Sequence, residues 1–187
     1  MTTKVSSAMQ DLTDDYAFSG TVSGAGDVNP KTVQTHVTAT SSQAISADTV
    51  TNITNLNATI TPTAGTKILV TVRWNGEGSD ASNQETVFGV RRDSTIVGSP
   101  SAAGVRQIGI AMIAQGYAAA DANTTPDSCF YQYLDSPSTG SAITYHATIM
   151  SSRATQTIYN NRGVLDADNS SNERLTSTIT LQEVVAP

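Results

Sequence analysis

A chain of 187 residues with a formal charge of −6 at pH 7 has room for one domain of ordinary size and a modest extension, which excludes two independent catalytic domains. Thr (28) and Ser (21) make up about a quarter of it, and 15 Val with 12 Ile stand against only 7 Leu, a β-branched bias that excludes an all-helical fold. The acidic balance opposes any general affinity for phosphate backbones, so no nucleic-acid partner is expected.

The opening MTTKVSSAMQDL lacks the apolar stretch of a secretory signal, and no apolar run approaches the roughly 18 residues of a membrane span. Neither export nor membrane insertion is expected. Residues 1–42 read as an extended N-terminal arm. Its first 31 residues carry Asp11, Asp14, Asp15 and Asp27 against Lys4 and Lys31, with Gly20, Gly24, Gly26 and Pro30 and few core-sized side chains. The apolar residues Val5, Met9, Leu12, Tyr16 and Phe18 are too many for an inert linker. They are the candidate anchoring contacts, with Val5, Met9 and Leu12 spaced for a short helical face.

Residues 43–187 read as the folded domain. Period-two alternation begins at Val33, Thr35 and Val37, and a second series places Ile45, Val50, Ile53, Leu56 and Ile60 among Ser, Thr and Asn before the punctuation Pro62–Gly65. KILVTVRW (67–74) is expected to end at the turn dipeptide Asn75-Gly76. ETVFGVRRDSTIVG (85–98) reads as a hairpin turning at Arg92–Ser94, and IGIAMIAQGY (108–117) as a nearly continuous apolar strand. CFYQYL (129–134), AITYHATIM (142–150), QTIYNN (156–161) and TSTITLQEVV (176–185) complete eight to ten short strands. With no long helix between them, the expected fold is all-β: an antiparallel sandwich of the jelly-roll kind with an N-terminal arm. On 129–134, Tyr131 and Tyr133 share one face, while Phe130, Gln132 and Leu134 share the other. The Tyr pair is the candidate interface with a neighbouring copy, the alternative being that both faces are buried within one protomer.

Catalytic chemistry has little to stand on. His36 and His146 are the only imidazoles, and there is no G-x-S-x-G, H-E-x-x-H or phosphate-loop motif. Cys129, the lone cysteine, lies in an apolar strand without a basic neighbour to activate it. Asp166-Ala-Asp168-Asn-Ser-Ser-Asn-Glu173 alternates oxygen ligands as a calcium loop does, but Ser171 stands where the turn glycine belongs and Ser177 where the bidentate Glu belongs. No metal, no cofactor and no enzymatic activity are expected. A glycan platform would need an exposed aromatic near Asn and Asp; Trp74 and Tyr117 are the candidates, with core packing the competing role for Trp74.

Together TKILVTVRWNGEG, FGVRRDSTIVGSP, FYQYLDSPSTGSAITYHATIMSS and TSTITLQEV resemble the jelly-roll domains of structural proteins from tailed bacteriophages, particularly the cyanophage-like phages of aquatic bacteria. Such domains look like the tumour-necrosis-factor and complement-globular-head class. The resemblance spans residues 43–185 and is most distinctive at 134–149 and 177–184; the opening KVSSAMQDLTDDYAFSGTVSG also looks like virion leader segments. It implies a homotrimer at the virion surface, made in the host cytoplasm and held to other virion proteins, either the major capsid protein or a fibre or tail adaptor. An arm of 42 residues reaches at most about 140 Å and contains no heptads, which favours a capsid decoration (cement) protein or short head fibre. The alternatives are a tail-fibre module contacting host surface polysaccharide and a free lectin.

Overall fold

The computed structural model describes residues 30–79, 86–102, 104–113, 124–152 and 155–185. Val5, Met9, Leu12, Tyr16 and Phe18 of the arm, and Tyr117, lie outside them. Among the described residues eleven strands follow in chain order: β1 (Thr32–Val37), β2 (Ser41–Ser46), β3 (Thr51–Ile60), β4 (Lys67–Gly78), β5 (Thr86–Arg92), β6 (Thr95–Val97), β7 (Ala111–Met112), β8 (Asp127–Asp135), β9 (Ile143–Ser151), β10 (Thr155–Asn160) and β11 (Ser177–Val184).

The pairing is nested. β5 pairs with β6 across the two-residue turn Asp93-Ser94, β4 with β8, β3 with β9 and β1 with β11, all antiparallel. A chain whose first half pairs in reverse order with its second half is one long hairpin, and rolling it up gives two sheets, the jelly-roll arrangement. In the first sheet β8 lies on one edge of β4. On the other edge β11 and β10 follow one another, with β1 beyond β11 and β2 beyond β10. The second sheet runs β3-β9-β5-β6, and β7 adds to the outer edge of β5.

Between the sheets lies one apolar core. Ile68, Val70, Val72 and Trp74 enter it from β4, Ile179 and Leu181 from β11, Phe88 and Val90 from β5, and Tyr145, Ala147 and Ile149 from β9. The Trp74 and Phe88 rings sit 4.9 Å apart. Polar ties cross the same gap: Tyr131 Oη donates to Gly89 O at 2.8 Å, and Tyr145 Oη donates to Asp135 Oδ2 at 2.6 Å, where Arg92 Nη1 also donates at 2.7 Å. Two buried hydroxyls and an ion pair thus fix how β8 sits over β5 and β9.

Three expectations from sequence are corrected. The sheet begins at Thr32, so residues 32–42 belong to the sandwich and not to the arm: β1 pairs with β11 over its whole length. β4 does not turn at Asn75-Gly76 but runs on to Gly78. There a Cβ on Gly76 would collide with Tyr159 O and the Trp74 ring, so glycine is required for close approach and not for a turn. Within the described part of the apolar run, 108–113, Ala111–Met112 alone forms a strand, pairing with Val87 and Phe88, and residues 114–117 lie outside the described segments.

Candidate functional site

The two ends of the sandwich differ. At one end lie the start of β1, the end of β11, the 61–66 connection, the Asp93-Ser94 turn and the 136–142 connection. The other end carries 47–50, the end of β4, the starts of β5, β8 and β10 and the end of β9. Pro30 and Lys31 therefore lie at the end opposite the starts of β5 and β8.

That joint is built around a buried carboxylate. Glu183, an inward position of β11 at the sheet's end, accepts from the backbone N–H of Lys31 and Thr63 and from Thr66 Oγ1, while its own N–H donates to Lys31 O. Burial pushes the carboxyl up, but these donors outweigh it and hold it down to about 2. Lys31 Nζ adds a bond to Thr61 O at 2.7 Å. The residue before β1 is thereby clasped on both backbone groups, which fixes how the chain enters β1.

Trp74 is fully buried, 0% exposed, and its indole N–H donates to Asn160 Oδ1 at 2.8 Å, so it is a core residue and cannot stack on a sugar. The corner around it is a polar knot. Asn160 Nδ2 reaches Ser41 Oγ and Gln43 Oε1, and Asn161 Nδ2 donates to both Val37 O and Ala39 O at 2.9 Å. Ser177 Oγ donates to Asn161 Oδ1 at 2.6 Å, and Asn75 N donates to Ser177 Oγ. This network welds the β1–β2 and β10–β11 connections to β4, and no sequence motif announces it.

Tyr131 and Tyr133 point inward, contrary to their expected role at an interface. Tyr131 is buried with its hydroxyl on Gly89 O, and Tyr133 packs half-buried against the core beside Gly98. Their strand instead presents Phe130 (62% exposed), Gln132 and Leu134 (44% exposed) to the outside. The alternation was legible, and only which face turned inward was not.

His36 is exposed on the outer face of β1. His146 stands outward on β9 between Asn57 and Arg91, its pKa lowered by burial and by the Arg91 charge against the opposing pull of Asp93. The two imidazoles thus lie on different sheets. Cys129 is buried, which pushes its thiol up to about 12 and leaves no thiolate at neutral pH. In the acidic loop, Arg174 holds Asp166 through two bonds of 3.0 and 2.9 Å, and Arg162 Nε lies 4.0 Å away. Asp166 is committed to arginine, and among the described residues no group of three His, Cys, Asp or Glu could hold a metal.

The outer face of the first sheet is the broadest feature without an assigned role. Pairing lays its outward side chains in rows: Thr32–Gln182–Leu69–Leu134, Gln34–Thr180–Thr71–Gln132 and His36–Thr178–Arg73–Phe130. In the middle row Gln34 Nε2 donates to Thr180 Oγ1 at 2.8 Å and Gln132 Nε2 to Thr71 Oγ1 at 3.1 Å. Compared with known proteins, the chain matches no family model and no curated protein.

Proposed function

We propose that the chain is a non-enzymatic structural protein of a tailed-bacteriophage virion, a homotrimer held at the particle surface by the segment preceding β1. The observation that carries this reading is the polarity of the sandwich: the clasp of Lys31 by Glu183 brings the chain in at one end, and β4 and β9 finish at the other. A rigid roll tethered at one end and displaying loops at the opposite one suits a decoration protein or short head fibre. The partner at the tethered end is the major capsid protein or a fibre adaptor. Attachment is mainly apolar, through Val5, Met9, Leu12, Tyr16 and Phe18.

Immuno-electron microscopy of intact particles tests the location, with label expected over the capsid. Label confined to the tail would replace this reading with the tail-fibre one, in which the module contacts host polysaccharide and Tyr117, outside the described residues, is the candidate contact. Particles without label would reject both. Deleting residues 1–29 should leave a folded roll that no longer binds particles, because the clasp is made at Lys31. Full occupancy by the truncated protein would move the anchor onto the sandwich.

A further inference from the structure

We propose that the end of the roll where β5 and β10 start is a binding site for one internal water molecule, held between the Gln156 carboxamide and the Thr86 hydroxyl. Gln156 is 0% exposed and shares the inward face of β10 with Ile158, yet neither its Oε1 nor its Nε2 meets a hydrogen-bond partner among the described residues. Thr86, 1% exposed, shares the inward face of β5 with Phe88, and its Oγ1 is in the same condition. The neighbouring buried amides behave differently: Asn160 and Asn161 spend both their side-chain atoms on protein groups.

Strand register brings the two side chains to one level of the core. Gln156 pairs with Ile45 of β2; two residues on, Ala47 bridges to Ser151 of β9, and Ser151 pairs with Thr86. β2 thus closes this edge of the sandwich, and Gln156 and Thr86 face the same end of the core from opposite sheets. β4 puts no side chain between them, because its last residue on the inward face is Gly78, the partner of Ile158.

Chemistry selects the occupant. A carboxamide presents an acceptor and two donors, and a hydroxyl presents both kinds of group. Gln156, Ile45, Ser151 and Thr86 carry no charge, so neither a metal ion nor an anion finds a counter-charge at this level. An apolar guest would leave the amide and the hydroxyl stranded in the core, where unpaired polar groups are costly. A water molecule accepts from Nε2 and from Thr86 Oγ1 and donates to Oε1, about the number of bonds usual for a buried water. It ties β10 of the first sheet to β5 of the second at the end opposite the Glu183 clasp.

Two measurements on the full-length protein and one on its variants test this. In a high-resolution crystal structure, a density peak should lie about 2.7–3.2 Å from Nε2, Oε1 and Thr86 Oγ1. In solution, the Gln156 Nε2 protons should show a nuclear Overhauser effect to water with the sign of a long-lived complex, while those of Gln34 and Gln132 on the outer face show only the sign of fast surface hydration. Gln156→Met and Thr86→Val, read by urea unfolding at one protomer concentration, should each raise the unfolding constant at least about 10-fold. The double variant, which strands nothing, should be at least about 10-fold more stable than the product of the singles. Protein groups bonded to both amide atoms, or a Gln156 side chain without a long-lived water contact, would overturn the site. Single effects that simply multiply in the double variant would overturn the bridge to Thr86. If a variant fails to fold, the Overhauser contact in native protein decides alone.

Discussion

Replacing Asn161 probes the polar knot most directly. The residue is fully buried with φ 63°, a left-handed conformation that Asn tolerates and Ala does not. Every polar group it has is used: N–H to Asn75 O, C=O from Leu175 N–H, Nδ2 to Val37 O and Ala39 O, and Oδ1 from Ser177 Oγ. In Asn161→Ala, two buried carbonyls and a hydroxyl lose their partner, at about 1 kcal/mol or more each, and the backbone strain adds about 1 kcal/mol. The expected loss is about 3–5 kcal/mol, a large share of the roughly 5–15 kcal/mol of a typical domain. Asn161→Gly loses the same bonds without the strain and should recover about 1 kcal/mol. Asn161→Asp keeps the acceptor for Ser177 but turns a carboxylate toward two carbonyls, so it should be no more stable than Asn161→Ala at pH 7 and should improve on acidification. Urea unfolding at one fixed protomer concentration reads the series, which matters because association shifts apparent stability. Asn161→Ala within 1 kcal/mol of native, or Asn161→Gly less stable than Asn161→Ala, would refute the reasoning.

Two further outcomes follow from the buried titratable groups. The Glu183 carboxyl sits below its ordinary value of 4.5, at about 2, so its contribution is complete above about pH 5 and is lost as pH falls through that interval. Thermal melts from pH 6 to pH 2 should show an acid limb that Glu183→Gln flattens, and superimposable limbs would contradict the clasp. Cys129, with its thiol pushed up to about 12, should resist a thiol reagent at pH 8 in native protein and react fully in denaturant; rapid native labelling would contradict its burial.

Much of the roll could be read from alternation because each half-buried strand writes its own period. Ile68, Val70, Val72 and Trp74 fall on one face, and the Arg92–Thr95 hairpin turns where Asp tolerates the positive φ that Asp93 adopts. Period two fixes which residues share a face but not which face turns inward. On β8 both faces carry large apolar side chains, so Tyr131 and Phe130 could be exchanged without disturbing the pattern. Asn75-Gly76 misled because that dipeptide reports only local chemistry. Its role is set by Tyr159 and Ser177, respectively 83 and 102 residues away in sequence (159 − 76 and 177 − 75), which hold it in a strand. The same distance hides the Asn160–Asn161 knot. Polar residues in a core are legible only through partners, and those of Asn161 lie 124, 122 and 16 positions away.

The nested pairing also sets an order of events for a chain emerging from the ribosome. Only β5–β6 closes a short loop; β4 must wait for β8, β3 for β9, and β1 for β11, so each earlier strand stays unpaired longer than the one after it. Loop-closure entropy is paid before the long-range contacts return anything, which makes such a topology slow to fold and exposes strand edges meanwhile. The Lys31–Glu183 clasp, spanning 152 positions, is therefore among the last contacts to form, and the entry of the chain into β1 is settled only once the roll has closed. Under the proposed attachment, binding would then be timed by folding itself: a half-made protomer has the N-terminal sequence but not the closed corner of Lys31 and Glu183.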